Sequence, residues 1–301
     1  MISITEIQKI FNGKISLNEP LAPYTTFRIG GVADYFLEPH DAEDVINIIK
    51  YVIRQNVPFY VLGNGSNILI SDEGIRGVVI NMIAGFSYLK HEDDTIICGS
   101  GIKMAKFVDY CIQNGYAGVE MLAGIPATIG GALVMNAGCY GGETSQFVIQ
   151  ITVVRDGNLI VQTKEECNFG YRKSNLKGTI ILEARFRLQK GNKEETSVRR
   201  KELLLKRNNS QPVEIPSAGC IFKNPKDNHA AVLIEQSGLK GTTYGGAMVS
   251  PKHSNFIVNV NNATANDVVE LIKIVKKTVL EKTGISLELE VKPVGFEEVQ
   301  E

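Results

Sequence analysis

A single thiol, Cys220, sits in "PSAGCIFKNP" (216–225) between a glycine and two large apolar residues, just ahead of a Lys-Asn-Pro turn. A thiol can deliver a proton or attack an electrophile, yet most cysteines are inert, small hydrophobes in a core. Residue type alone leaves both readings open. Arg172 in "FGYRKS" lies between an aromatic and a polar turn. A guanidinium there can grip a carboxylate through two parallel hydrogen bonds, or simply be a surface arginine on a loop. In "ISLELEVKPVG" a period of two sets Ile285, Leu287, Leu289 and Val291 on one face of a strand and Glu288 and Glu290 on the other. Either glutamate can be chemical or merely solvated. No G-x-S-x-G elbow is present, and no Ser/His/Asp grouping can be read. The five cysteines are odd in number, widely spaced and lack C-x-x-C, and the four histidines are dispersed. Neither a disulfide framework nor a metal site is expected.

Two glycine-rich loops add an anion-binding chemistry. "LGNGSN" (62–67) follows an apolar run and can turn consecutive backbone N–H groups toward one point, as phosphate oxygens require. An ordinary turn is the alternative. It is not a Walker loop, because no Lys-Ser or Lys-Thr follows, and it lacks the third glycine of the dinucleotide fingerprint. The second loop, "GIPATIGGALVMNAG", permits close backbone approach by a ligand. Together the two loops can grip two ends of one dinucleotide.

These loops need elements to position them. "DAEDVINIIKYVIRQ" places Val45, Ile46, Ile49, Val52 and Ile53 at helical spacing, with Asp41 as N-cap. "PFYVLG", "NILI" and "GVVINM" then read as strands, giving one α/β unit. A second begins at "DTIICGSGIKMAKFVDYCIQNG", where a strand leads into a helix burying Met104, Phe107, Val108 and Cys111. Strands follow at "ITVVRDGNLIVQT", turned by Asp156-Gly157, and at "GTIILEARFRLQ". The charged run "KGNKEETSVRRKELLLKRNNSQP" reads as a surface helix near a domain boundary. "HAAVLIEQSG" is a short helix, and "TANDVVELIKIVKKTVLEKTG" a long amphipathic one stopped by Gly284.

The 301 residues imply two or three packed units, and a net charge of −1 argues against a broad nucleic-acid footprint. "MISITEIQKIFNGKI" has no unbroken apolar core of a signal peptide, and no run reaches membrane-span length. The expectation is a reduced, cytoplasmic protein with no membrane or nucleic-acid partner.

"YTTFRIGG", "LGNGSNILISD", "GIPATIGGALVMNAGCYGGE", "FGYRKS", "PSAGCIFKNP", "LKGTTYGGAMVSPKHSNFIVN" and "LELEV" stand in the order found in the UDP-N-acetylenolpyruvoylglucosamine reductase (MurB) family. The chain resembles that family from about Leu17 to Gly295, in its shorter structural form. The resemblance implies an α+β fold. A two-part FAD-binding domain of the PCMH, vanillyl-alcohol-oxidase type would span 1–82 and 83–200, with a C-terminal α+β substrate domain at 201–301. It further implies a monomer in which NADPH reduces FAD. The flavin then reduces UDP-N-acetylglucosamine-enolpyruvate to UDP-N-acetylmuramate, a step of peptidoglycan synthesis on which cell shape and division depend.

Residue by residue, the resemblance makes Arg172, Cys220 and Glu290 catalytic. It assigns Arg28, Gly63, Asn64, Gly65, Ser66, Asn67, Ile125, Pro126, Gly130, Gly131, Asn136 and Gly138 to FAD. Tyr171, Lys223, Asn224, Gln236 and His253 are assigned to the substrate, and none to a metal. Arg172 would stabilise the enolate that develops beside the substrate carboxylate. Cys220 stands where the family typically has serine, as the acid that protonates the enolate carbon. A thiol of ordinary pKa, about 8.5, is protonated at neutral pH and gives up its proton more readily than a hydroxyl. Leu289 replaces the proline usual before the glutamate. Two other readings remain from the residues: a flavoenzyme of the same fold with a different substrate, and a non-catalytic nucleotide-sugar binder. Bound flavin separates the latter.

Overall fold

The computed structural model describes residues 3–296. The chain divides into two compact units, the first Met1–Leu17, Asp34–Asn64 and Gly77–Lys206, the second Asn18–Ala33, Gly65–Arg76 and Arg207–Glu301.

In the first unit, the Asp41 carboxylate accepts from the Asp44 N–H (3.0 Å) and starts the helix Ala42–Arg54. Its buried face is Val45, Ile48, Ile49 and Val52, whereas Ile53 is 48% exposed. The expected face is therefore rotated. Positions 45, 48, 49 and 52 follow i, i+3, i+4, i+7, and Ile53 falls one 100° step beyond them. The strand Phe59–Leu62 pairs in parallel with Ile75–Asn81, Phe59 opposite Val78 and Leu62 opposite Asn81.

The remainder of this unit is built on a five-stranded antiparallel sheet. Its order is Asn158–Thr163, Val148–Arg155, Ile180–Arg187, Thr95–Gly99, Leu89–Glu92. Arg155 faces Asn158, so the connection is the two residues Asp156 (φ 51°) and Gly157 (φ 73°). Both have positive φ, as the tight hairpin turn requires. The helix Met104–Gln113 buries Met104, Phe107, Val108 and Cys111 as expected, and the rings of Phe107 and Phe186 lie 4.7 Å apart. Burial lifts the Cys111 and Cys98 thiols far above their ordinary range, so both stay protonated in the core.

The second unit has a four-stranded antiparallel sheet in the order Ser217–Cys220, Phe256–Asn259, Ala247–Val249, Thr243–Tyr244. Its core is closed by the helices Ala230–Gln236 and Ala265–Thr283, through Leu233, Ile234, Val268, Leu271, Val275 and Val279. The long helix is fixed at its start by a Thr264/Asp267 capping box. The Asp72 carboxylate also accepts from the Ala265 and Asn266 N–H groups (2.8 and 3.1 Å). Negative charge at this helix end is favourable. Gly284 (φ 72°) ends the helix, as the sequence indicates.

The segment 285–291 departs from the expected strand. Leu287 and Val291 are buried and Glu288 exposed, as the alternation requires. Regular pairing is confined to one bridge, Leu289 with Phe222, and to the strand Lys292–Val294, which runs parallel to Ile68–Ile70. Alternation reports which side chains face the core, but a ladder also needs a partner of matching length, and Phe222 supplies a single residue.

Candidate active site

In the first unit the two glycine-rich loops meet. Asn64 donates from Nδ2 to the Pro126 carbonyl (2.6 Å), and a Cβ at Gly63 would run into Thr128 Oγ1. Thr128 caps the short helix Ile129–Val134 by accepting from Gly131 N–H (3.4 Å). Gly130 donates to the Ser100 carbonyl (2.8 Å), and its Cα lies against Ser100. The Ser100 hydroxyl is buried and finds no partner among the described residues. Gly131 is exposed, and a Cβ there would meet only Thr128 Oγ1, at 3.5 Å. Ile125 is half-buried in the turn before Pro126.

The same unit holds Arg172. Asn136, 1% exposed, spends its side-chain amide on Glu143 Oε2 (2.9 Å), the Gly170 carbonyl (3.1 Å) and the Ser145 N–H (3.1 Å). It thereby ties down the turn in which Gly170 and Lys173 pair and Arg172 adopts φ 55°. Arg172 donates from Nη2 to the Gly138 carbonyl (3.2 Å) and lies 5.1 Å from the centre of the Tyr171 ring. Tyr171 is half-exposed. Asn136 and Gly138, assigned to FAD by resemblance, thus also orient the arginine loop.

In the second unit, four motifs far apart in sequence are joined through backbone hydrogen bonds. Thr26 donates from N to the Gly65 carbonyl (3.2 Å) and from Oγ1 to the Ser217 carbonyl (2.7 Å). Asn67 donates from Nδ2 to the Glu290 carbonyl (3.1 Å) and accepts from the Lys292 N–H (3.0 Å). The consecutive N–H groups of Asn64, Gly65, Ser66 and Asn67 donate to no protein acceptor among the described residues. Gly65 takes φ 60°, with Tyr24 and Thr25 backbone against its Cα. Arg28 (φ 56°) is exposed and forms no ion pair among the described residues.

Cys220 ends its strand opposite Phe256, and the register slips between Ser217 and Cys220. Gly219 sits in this bulge with φ 76° and open space on its side-chain side. A bulge re-aims the next side chain, here the half-buried Cys220. Beyond it, Glu290 N–H donates to the Ile221 carbonyl (2.8 Å), and Lys223 N–H to that of Glu288 (2.9 Å). The segments carrying Cys220 and Glu290 therefore lie side by side. Lys223 Nζ pairs with Glu288 at 3.2 Å, largely in solvent. Asn224 Oδ1 accepts from Ala230 N–H (3.0 Å) and fixes the start of the helix that ends at the exposed Gln236.

His253 is half-buried, its ring edge-on to Phe256 at 4.9 Å, and Nδ1 finds no partner among the described residues. Burial depresses its pKa below the ordinary imidazole value, which favours the neutral ring. Sequence reasoning did not single out Asn255, 3% exposed, whose amide pairs with both backbone groups of Phe222. Nothing local marks it, because its partner lies 33 residues away.

The family model for the C-terminal domain of UDP-N-acetylenolpyruvoylglucosamine reductase matches residues 211–294, and an FAD binding domain model matches residues 33–163. A UDP-N-acetylenolpyruvoylglucosamine reductase from Chloroherpeton thalassium is 41% identical over 99% of this chain and 99% of its own. One from Caldanaerobacter subterraneus is 41% identical over 98% of each. The crystal structure of the MurB reductase from Thermus caldophilus superposes with a TM-score of 0.81 at 38% identity, covering 94% of this chain and 99% of that one.

Proposed function

This chain belongs to the UDP-N-acetylenolpyruvoylglucosamine reductase family, and from that membership we infer that it reduces UDP-N-acetylglucosamine-enolpyruvate to UDP-N-acetylmuramate for peptidoglycan synthesis, using FAD. The observation that carries the reading is identity along the whole of both chains, since it covers the Cys220 and Glu290 segments as well as the glycine-rich loops. NADPH is the reductant. The protein works in the cytoplasm as a monomer, and cell shape and division depend on its product.

The donor set fits a dinucleotide. The uncommitted N–H groups of Asn64 to Asn67 are suited to a pyrophosphate, and Arg28 adds a cation in reserve. Gly130 and Gly131 present bare backbone, and the unsatisfied Ser100 hydroxyl lies against Gly130. Residues Gly63 to Asn67, with Ile125, Pro126, Gly130, Gly131, Asn136 and Gly138, hold FAD. When bound, FAD supplies the hydride that adds to the enolpyruvyl double bond.

The side chains do the rest. Arg172 offsets the negative charge that develops on the carbon conjugated with the substrate carboxylate; its φ of 55° and its bond to Gly138 hold it ready before substrate arrives. Cys220 gives its Sγ proton to that carbon, and the thiolate left behind recovers a proton from solvent. One hydride and one proton thus add across the double bond, and no other bond breaks. Glu290 orients the forming enolate, either protonated or through a water, because two bare carboxylates repel. Lys223 leaves its weak, solvated pairing with Glu288 for substrate phosphate or carboxylate. Asn224, Tyr171, Gln236 and His253 complete the substrate contacts.

Purified protein should be yellow and should oxidise NADPH rapidly only when the enolpyruvyl sugar nucleotide is present. A colourless protein that cannot be loaded with FAD, or NADPH oxidation indifferent to that substrate, would sink the assignment.

A further inference from the structure

Asn255 makes a two-point contact that resembles strand pairing. Its Oδ1 accepts from Phe222 N–H (3.0 Å) and its Nδ2 donates to Phe222 C=O (2.8 Å), while its own carbonyl accepts from Ile221 N–H (2.9 Å). Phe222 is 1% exposed, so neither of its backbone groups has water as an alternative partner. On the other flank, Glu290 N–H donates to Ile221 C=O and Lys223 N–H to Glu288 C=O. Three consecutive residues, 221–223, are thus held between the Asn255 amide and the Glu290 segment. Cys220 precedes them directly and Lys223 is the last of them.

Asn255 is itself firmly seated. Ser250 Oγ accepts from the N–H groups of Lys252 and His253 (3.2 and 3.3 Å), and Ser254 donates from Oγ to the Ala231 carbonyl (2.6 Å). A buried amide fixed by its own loop and bonded to both sides of one peptide residue serves as a geometric reference.

We propose that Asn255 is a positioning residue for proton delivery: its amide holds the 221–223 backbone so that Cys220 and Lys223 keep register with the Glu290 segment. This rests on the role assigned above to Cys220. Asn255 touches neither the reacting atoms nor the glycine-rich loops, so its loss should fall on one half-reaction.

The test is stopped-flow spectroscopy of the FAD-loaded Asn255→Asp variant. This change keeps the shape and the acceptor for Phe222 N–H but sets an oxygen against Phe222 C=O. Flavin content and the rate of flavin reduction by NADPH should stay close to wild type. Reoxidation by the enolpyruvyl sugar nucleotide should slow about 10- to 100-fold, the scale of a misplaced catalytic group. Asn255→Ser, which leaves room for a water at Nδ2, serves the same comparison should the Asp variant not fold. Unchanged reoxidation, or equal slowing of both half-reactions alongside a lower melting temperature, overturns the proposal. Cys220→Ala is run in parallel. If it is inactive while Asn255→Asp is fully active, only this proposal fails; if it is active, the proton-donor reading falls and this proposal with it.

Discussion

Gly131 offers a clean separation of protein stability from cofactor binding. It is exposed, it is the third residue of the helix Ile129–Val134, and an added Cβ would meet only Thr128 Oγ1 at an ordinary 3.5 Å. Within the protein, Gly131→Ala is therefore permitted and slightly favourable. Replacing a helical glycine by alanine gains roughly 0.5–1 kcal/mol, and less near a helix end. The apoprotein should melt about 1–2 °C higher, or unchanged. If the Gly130–Gly131 backbone faces FAD, the added methyl overlaps the cofactor. Overpacking of a close contact typically costs about 1–3 kcal/mol, which corresponds to FAD affinity weakened about 5- to 150-fold. Fluorescence titration of apoprotein with FAD measures the affinity, and a thermal melt of the same samples measures the fold. Gly65 is a poorer probe. Its φ of 60° and the Tyr24 and Thr25 backbone against it would disturb the loop itself on substitution. Wild-type FAD affinity in Gly131→Ala would remove this backbone from the cofactor site.

Arg172→Ala should leave flavin reduction by NADPH nearly intact and slow reoxidation by substrate about 10²–10³-fold, the usual cost of losing one preorganised charge-stabilising group; equal slowing of both phases argues against the role. Cys220→Ser should retain turnover and Cys220→Ala should lose it, and the serine variant should lack the alkaline limb that a thiol shows near pH 8–9. Thermal melts under acid probe the Thr264/Asp267 capping box. Backbone donors at Thr264 and then Gly246 hold the Asp267 carboxyl below its ordinary pKa. Its contribution is therefore present above the unfolded value near 4 and is lost as pH falls through the lower folded value. Asp267→Asn should flatten the drop in melting temperature between about pH 5 and 3, modestly because the group is largely solvated; parallel curves would show that the cap is not linked to protons.

Elements specified by neighbours in sequence are readable from the residues alone. Asp41 and Thr264 start helices, Gly284 stops one, and Asp156-Gly157 turns a hairpin, because each acts within a few residues of itself. The buried face of 104–111 follows from its period. The segment 285–291 was only half readable: burial alternates, but the pairing depends on Phe222, which the local pattern does not contain. The site is the extreme case. Arg172, Cys220 and Glu290 were identified through the order of seven motifs, not through any spacing between them. Asn67 to Glu290 and Asn255 to Phe222 are side-chain to backbone contacts spanning 223 and 33 residues, and a polar residue carries no mark of so distant a partner. Asn136 is similar: its glycine-rich surroundings suggest a ligand, whereas its amide is bonded to Glu143, Ser145 and Gly170.

The central claim is that this chain carries electrons through FAD to an enolpyruvyl sugar nucleotide. Anaerobic titration of the purified, FAD-loaded protein tests it most directly. NADPH should bleach the flavin band near 450 nm, roughly one equivalent per flavin as two-electron hydride transfer demands. Subsequent addition of UDP-N-acetylglucosamine-enolpyruvate should restore the band, with formation of a product heavier than the substrate by two hydrogen atoms. A flavin that stays bleached when the sugar nucleotide is added, with the nucleotide recovered unchanged, would contradict the account.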